Sequence, residues 1–124
     1  MDILIVTEEV KQWATFEKDV KGLGHAVTFS SDKTQAKRLC HDQRFHALIW
    51  DAIECPQAHR ETVVEFLMTN AAMHQCMVCE VEAERFHEET EGLGLLPPMN
   101  RSRNAEKFLA AIATIDATFA FQKH

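Results

Sequence analysis

No apolar run in the 124-residue sequence approaches the roughly 18 residues that a bilayer-crossing helix requires. The start of the chain, an acidic residue followed by a strand-like stretch, also lacks the basic segment and cleavage site of a secretory leader. The expected location is cytoplasmic, with no membrane partner. Basic charge is in deficit: 13 Lys+Arg stand against 19 Asp+Glu, a formal net charge of −6. That leaves no surplus to neutralise a phosphate backbone, which argues against nucleic acid as a partner. Cysteine is too sparse for a disulfide scaffold, so Cys40, Cys55, Cys76 and Cys79 read as free thiols. Repeats, low-complexity tracts and linkers are absent too, and the length fits one compact domain spanning 1–124.

What is present is an ordinary globular mixture, 46% hydrophobic and 26% charged, able to bury a core. Five short apolar runs recur: Ile3 to Val6, Ala26 to Phe29, Ala47 to Trp50, Cys76 to Cys79 and Leu93 to Leu96. Most show no alternation, the pattern of strands buried on both faces. Between them lie helical periods. Val10, Trp13, Phe16 and Val20 form one stripe, Ala36, Leu39 and Cys40 a second, and Val63, Phe66, Leu67 and Ala71 a third. The longest stripe runs Ala105, Phe108, Leu109, Ile112, Ile115 and Phe119. Gly22 and Gly24 close the first helix, Ser31 or Asp32 caps the second, and Pro97-Pro98 keeps the last from starting before Asn100.

Strand and helix alternating in this way imply parallel strands joined by right-handed crossovers. The compact solution is an α/β flavodoxin-like doubly wound three-layer sandwich with a five-stranded parallel sheet of order 2-1-3-4-5. In such sheets the ligand crevice lies beyond the carboxyl ends of strands 1 and 3, which directs attention to Thr7, Glu8, Glu9 and Asp51. Grouped carboxylates there make an oxygen-rich site suited to a hard divalent cation.

The stretch Ile3-Leu4-Ile5-Val6-Thr7-Glu8-Glu9 resembles the first strand and acidic turn of bacterial response-regulator receiver domains. Phe45-His46-Ala47-Leu48-Ile49-Trp50-Asp51, followed by Pro56, resembles their phosphoacceptor strand. The resemblance implies that Asp51 is the phosphoacceptor position. It also implies Mg²⁺, not strictly required, held by Glu8, Asp51 and the backbone carbonyl of Ile53, with Thr7 where a second acid is usual. Two family features are missing: Cys79-Glu80-Val81 offers no hydroxyl at the end of strand 4, and Pro97 stands where a lysine is expected. A missing cationic donor of this kind costs about 3 kcal/mol in a transition state, so phosphorylation should be slow. A missing hydroxyl removes the bond that would favour an active conformation. The short segment between Glu80 and Gly92 implies a fourth helix stunted or replaced by a loop.

Other motifs carry less. Residues three apart on a strand face opposite ways, so Cys76 and Cys79 do not chelate one ion. The seven histidines lack the i, i+4 pairing of helical metal sites and read as mostly solvated. Gly92-Leu93-Gly94 precedes prolines rather than a helix and is no phosphate loop. The glutamates between 80 and 91 read as a solvated face. Phe108, Phe119 and Phe121 are candidates for an interface, and the resemblance implies a homodimer or partner contact there.

The expectation is a non-enzymatic, stand-alone, degenerate receiver-like domain. It would act in bacterial two-component signal transduction through contact with a histidine kinase or other signalling protein, with weak or absent phosphorylation. One alternative is a working phosphorelay receiver that accepts a phosphoryl group on Asp51 with Mg²⁺. Another is a flavodoxin-like small-ligand-binding protein, although Glu8 and Glu9 would repel an anionic cofactor.

Overall fold

A computed structural model of the chain describes the backbone of residues 1–122 and the side chains of residues 1–116. Four of the apolar runs form strands: β1 (Asp2–Val6), β2 (Ala26–Ser30), β3 (Ala47–Trp50) and β4 (His74–Met77). All pair in parallel, in the order β2-β1-β3-β4. The helices are α1 (Ala14–Gly22), α2 (Lys33–Asp42), α3 (Arg60–Thr69), α4 (Ala83–Glu89) and α5 (Ala105–Gln122).

Because side chains alternate along a strand, the sheet has two buried faces. Ile3, Ile5, Ala47, Ile49 and Cys76 pack with Trp13, Phe16 and Val20 of the first helical segment and with Ala105, Phe108 and Ile112 of α5. Leu4, Leu48, Trp50 and Met77 pack on the opposite face with Ala36, Val63, Phe66 and Phe86 of α2, α3 and α4. The result is the expected three-layer sandwich. The cysteine pair behaves as the pleat requires, Cys76 on one face and Cys79 on the other.

The fifth strand does not form. Gly92 and Gly94 take positive φ (83° and 66°), which breaks extended geometry, and Pro97-Pro98 supplies no N–H. Leu96 N–H still reaches Gln75 O at 2.9 Å. A regular parallel ladder would next use residue 98. As a proline it cannot donate, and Met99 N–H takes over, bonding Met77 O at 2.8 Å and leaving a single isolated bridge between Val78 and Met99. The segment therefore covers the β4 edge as an irregular strap, and the sheet has four strands rather than five.

Helix 4 is stunted, a helix of 7 residues. It is pinned by the Arg60 guanidinium, which donates to the carbonyl of its last residue, Glu89 (2.8 Å), and to Glu91 O just beyond it (3.2 Å). Asp32 is the N-cap of α2, accepting from Gln35 N–H at 2.8 Å. The first helix opens as a 3-10 turn, Val10–Trp13, which leaves Val10 47% exposed instead of in the core stripe. Phe108 is 4% exposed and its ring packs 5.6 Å from Phe16, so it is core rather than interface. Phe119 and Phe121 lie outside the described side chains.

Candidate functional site

The parallel register of β1 and β3 pairs Val6 with Trp50, so the next residues, Thr7 and Asp51, emerge side by side at the carboxyl edge of the sheet. Asp51 N–H donates to Val6 O at 3.0 Å, fixing the aspartate against β1. Its side chain is only 4% exposed and accepts three bonds. Oδ2 takes the Thr7 hydroxyl at 2.6 Å and the Trp13 indole N–H at 3.0 Å, while Oδ1 takes Arg103 Nη2 at 3.2 Å. Trp13 is fully buried, and its N–H requires a partner, which the carboxylate provides. Thr7 Oγ1 also accepts from Glu9 N–H at 2.9 Å, tying the acidic turn to the same network.

Sequence reasoning missed Arg103. It arrives from the loop joining the proline strap to α5, a loop ordered by its two asparagines. Asn100 O accepts from Arg103 N–H (3.1 Å) and Asn100 Oδ1 from Ser102 N–H (3.0 Å). Asn104 Oδ1 caps α5 by accepting from Lys107 N–H at 3.0 Å. These turn and cap residues are legible in Asn100-Arg-Ser-Arg-Asn104, but no local pattern says which arginine turns inward.

Arg103 Nη1 donates to Arg101 O at 2.9 Å, and its guanidinium carbon lies 5.3 Å from the Trp13 ring centroid, within cation–π range. Its Nε is buried without a partner among the described residues. Two non-glycine residues at the ion pair take the left-handed region, Ala52 next to Asp51 (φ 55°) and Arg103 itself (φ 50°). Each such conformation costs about 1 to 2 kcal/mol and persists only where its surroundings fix it.

The crevice above this cluster has a volume of about 670 Å³. Three acids (Glu8, Glu9, Asp51) face three bases (Lys33, Arg101, Arg103) across it, so its charge is balanced rather than strongly anionic. Glu8 and Asp51 thus share a rim, as expected, but Glu8 is exposed while Asp51 is inside the network. Ile53 borders the same crevice, its N–H bonded to Val78 O at 2.9 Å. Glu80 does not aim a free charge into the site. It is exposed and accepts from Arg101 N–H at 2.9 Å, holding the arginine loop across the edge of the sheet. Pro97 O lies 3.6 Å from the buried Cys76 thiol, whose pKa burial pushes up to about 12.

Beneath the crevice the His59 ring meets Trp50 edge-on at 4.6 Å between centroids. Burial, then the charge of Lys33, lowers its pKa. His41, His46 and His87 are exposed, and His25, His59 and His74 are half-buried. The Trp50 indole N–H donates to the buried Gln75 Oε1 at 2.9 Å, and Gln75 Nε2 donates to Val63 O at 3.1 Å.

A hard divalent cation needs carboxylate lone pairs aimed at it. Those of Asp51 already accept three donors, one of them a guanidinium, and no group of three His, Cys, Asp or Glu side chains suited to a metal occurs among the described residues. As arranged, the site does not fit Mg²⁺.

No family model matches the sequence, and no curated protein matches it. Solved structures do match by shape. Chemotaxis protein CheY4 of Vibrio cholerae superposes with a TM-score of 0.72 at 18% identity, covering 91% of this chain and 96% of that one. An orphan response regulator of H. pylori gives 0.73 at 10% identity, covering 92% and 94%. The fold is that of a response-regulator receiver domain. A Burkholderia pseudomallei response regulator whose structure contains a phosphorylated aspartic acid gives 0.73 at 14% identity, covering 99% of this chain and 75% of that chain. Among the described residues, no helix of this receiver fold is long and apolar enough to cross a membrane.

Proposed function

We propose that this chain is a degenerate receiver domain that acts in bacterial signal transduction by protein–protein contact, with a histidine kinase or other signalling protein as partner. Phosphorylation of Asp51 is weak or absent, and the domain is not itself an enzyme. The receiver fold supports the signalling class. The observation that carries the rest is the Asp51 carboxylate, 4% exposed and accepting from Thr7, Trp13 and Arg103 at once. An attacking carboxylate oxygen must present a lone pair to phosphorus and leave room for the transferring group. Here both oxygens point into the protein network. Charge argues the same way, since a guanidinium that neutralises Asp51 also lowers its nucleophilicity.

The test is incubation of the purified chain with acetyl phosphate or phosphoramidate and Mg²⁺, followed by intact mass. An unmodified mass is the expected result. A stoichiometric phosphoryl adduct that disappears in Asp51→Asn would overturn the reading and establish a working phosphate-accepting receiver instead.

A further inference from the structure

We propose that Arg103 is an intramolecular cation that occupies the position of a divalent ion at Asp51, so that the chain closes its own metal site, and that removing this one side chain opens it. The inference rests on the receiver reading given above, but extends the role of Arg103 from phosphorylation to cation binding: the missing hydroxyl and lysine alone would leave the acidic rim free to bind a cation.

The geometry points to Arg103 as a fixed part of the site rather than a passing surface side chain. Its side chain is 12% exposed. It is held at three places: Asp51 Oδ1 (3.2 Å), Arg101 O (2.9 Å) and the face of Trp13 (5.3 Å). The loop that presents it is tied at both ends. Met99 N–H bonds Met77 O at the end of β4 and Met99 O accepts from Cys79 N–H just beyond it, and Asn104 caps α5. Midway, Arg101 N–H is taken by Glu80. Glu80 thus supports the closure from the end of β4.

A divalent ion approaching Asp51 would meet the Arg103 charge at the same carboxylate, with Arg101 and Lys33 lining the same crevice. Its binding therefore requires the guanidinium to leave and the left-handed turn at Arg103 to relax. With Arg103 replaced by glutamine, the cation at Oδ1 is gone, and Asp51 and Glu8 become two carboxylates on one rim with the Ile53 main chain beside them. That donor set suits a hexacoordinate ion that keeps several waters.

The experiment is a Mg²⁺ titration of the purified full chain at constant ionic strength. It is followed by tryptophan fluorescence and by melting temperature for the unmodified protein, Arg103→Gln, Arg103→Lys and the double variant Asp51→Asn/Arg103→Gln. Arg103→Gln should bind Mg²⁺ at least about tenfold more tightly than the unmodified chain. Added Mg²⁺ should raise the melting temperature of that variant. Arg103→Lys, which keeps the charge, should stay closed, and the double variant should lose the gain.

Equal Mg²⁺ affinity in Arg103→Gln and the unmodified chain would overturn the proposal, as would a gain that survives in the double variant. Because Arg103→Gln can fail to fold, the Trp13 indole N–H resonance of the unmodified chain gives a second reading. It should not move as Mg²⁺ is added, and a saturable shift would overturn the proposal without any variant. Failure here is separable from failure of the signalling reading. A chain that resists acetyl phosphate while Arg103→Gln gains no Mg²⁺ affinity retains the latter and loses only the arginine closure.

Discussion

Replacing Asp51 by asparagine is predicted to destabilise the protein, the opposite of what removing one charge from a cluster of bare carboxylates does. In such a cluster, neutralising one member relieves repulsion. Here the three groups touching Asp51 are all donors, and one is a cation. Asparagine keeps a carbonyl oxygen for Thr7 and Trp13 but turns an amide NH₂ toward Arg103, so the loss isolates the ion pair. A hydrogen bond to a charged partner contributes about 1.5 to 3 kcal/mol, and losing it leaves a largely buried guanidinium without its counter-charge. The pair is single-pronged at 3.2 Å and Arg103 keeps 12% exposure, so the lower part of that range applies, about 2 kcal/mol. For a chain of this length, about 2 kcal/mol lowers the melting temperature by roughly 6 to 10 °C. Differential scanning calorimetry of the two proteins at neutral pH and moderate salt reads this directly. An unchanged or raised melting temperature in Asp51→Asn would refute the reasoning.

Gln75→Leu should cost about 1 to 3 kcal/mol in urea denaturation, because it strands the Trp50 indole N–H in the interior and removes the bond from Gln75 Nε2 to Val63 O; an unchanged midpoint would show that neither bond matters. His59 supplies a pH dependence. Its folded pKa lies below the ordinary value of 6.5, so the unfolded chain binds more protons, and stability falls as pH drops below about 6.5 toward the folded pKa. Burial, the first cause, acts on a ring that is only half-buried, so the effect is modest. His59→Phe, which keeps the edge-on contact with Trp50, should flatten that acid-side loss in melting curves recorded between about pH 5 and 7.5.

The legible part of this fold follows from periods that local chemistry enforces. Apolar runs such as Ala47 to Trp50 have no polar face to offer solvent, so they require a sheet covered on both sides. The stripe from Trp13 to Val20 fits a helix and little else. Thr7 and Asp51 were placed together by topology alone, since parallel strands 1 and 3 must end at one rim. The misread fifth strand is a case of tertiary opportunity without local capacity: Leu93 and Leu96 are buried as a strand would bury them, yet two glycines and two prolines deny the backbone its ladder. From sequence Phe108 reads as an interface candidate because the depth of the α1–α5 layer is not written in its own helix. Arg103 was invisible for a different reason. Its role depends on a loop reaching back across about half the chain, a separation of 52 residues from Asp51, and neither spacing nor composition encodes such a contact.

The Asp51 carboxylate is paired from within the chain by the Arg103 guanidinium. A double-mutant cycle of chemical denaturation over the unmodified chain, Asp51→Asn, Arg103→Gln and the double variant tests it most directly. The account predicts a favourable coupling of at least about 1 kcal/mol between residues 51 and 103. Additive losses, with coupling indistinguishable from zero, would contradict it.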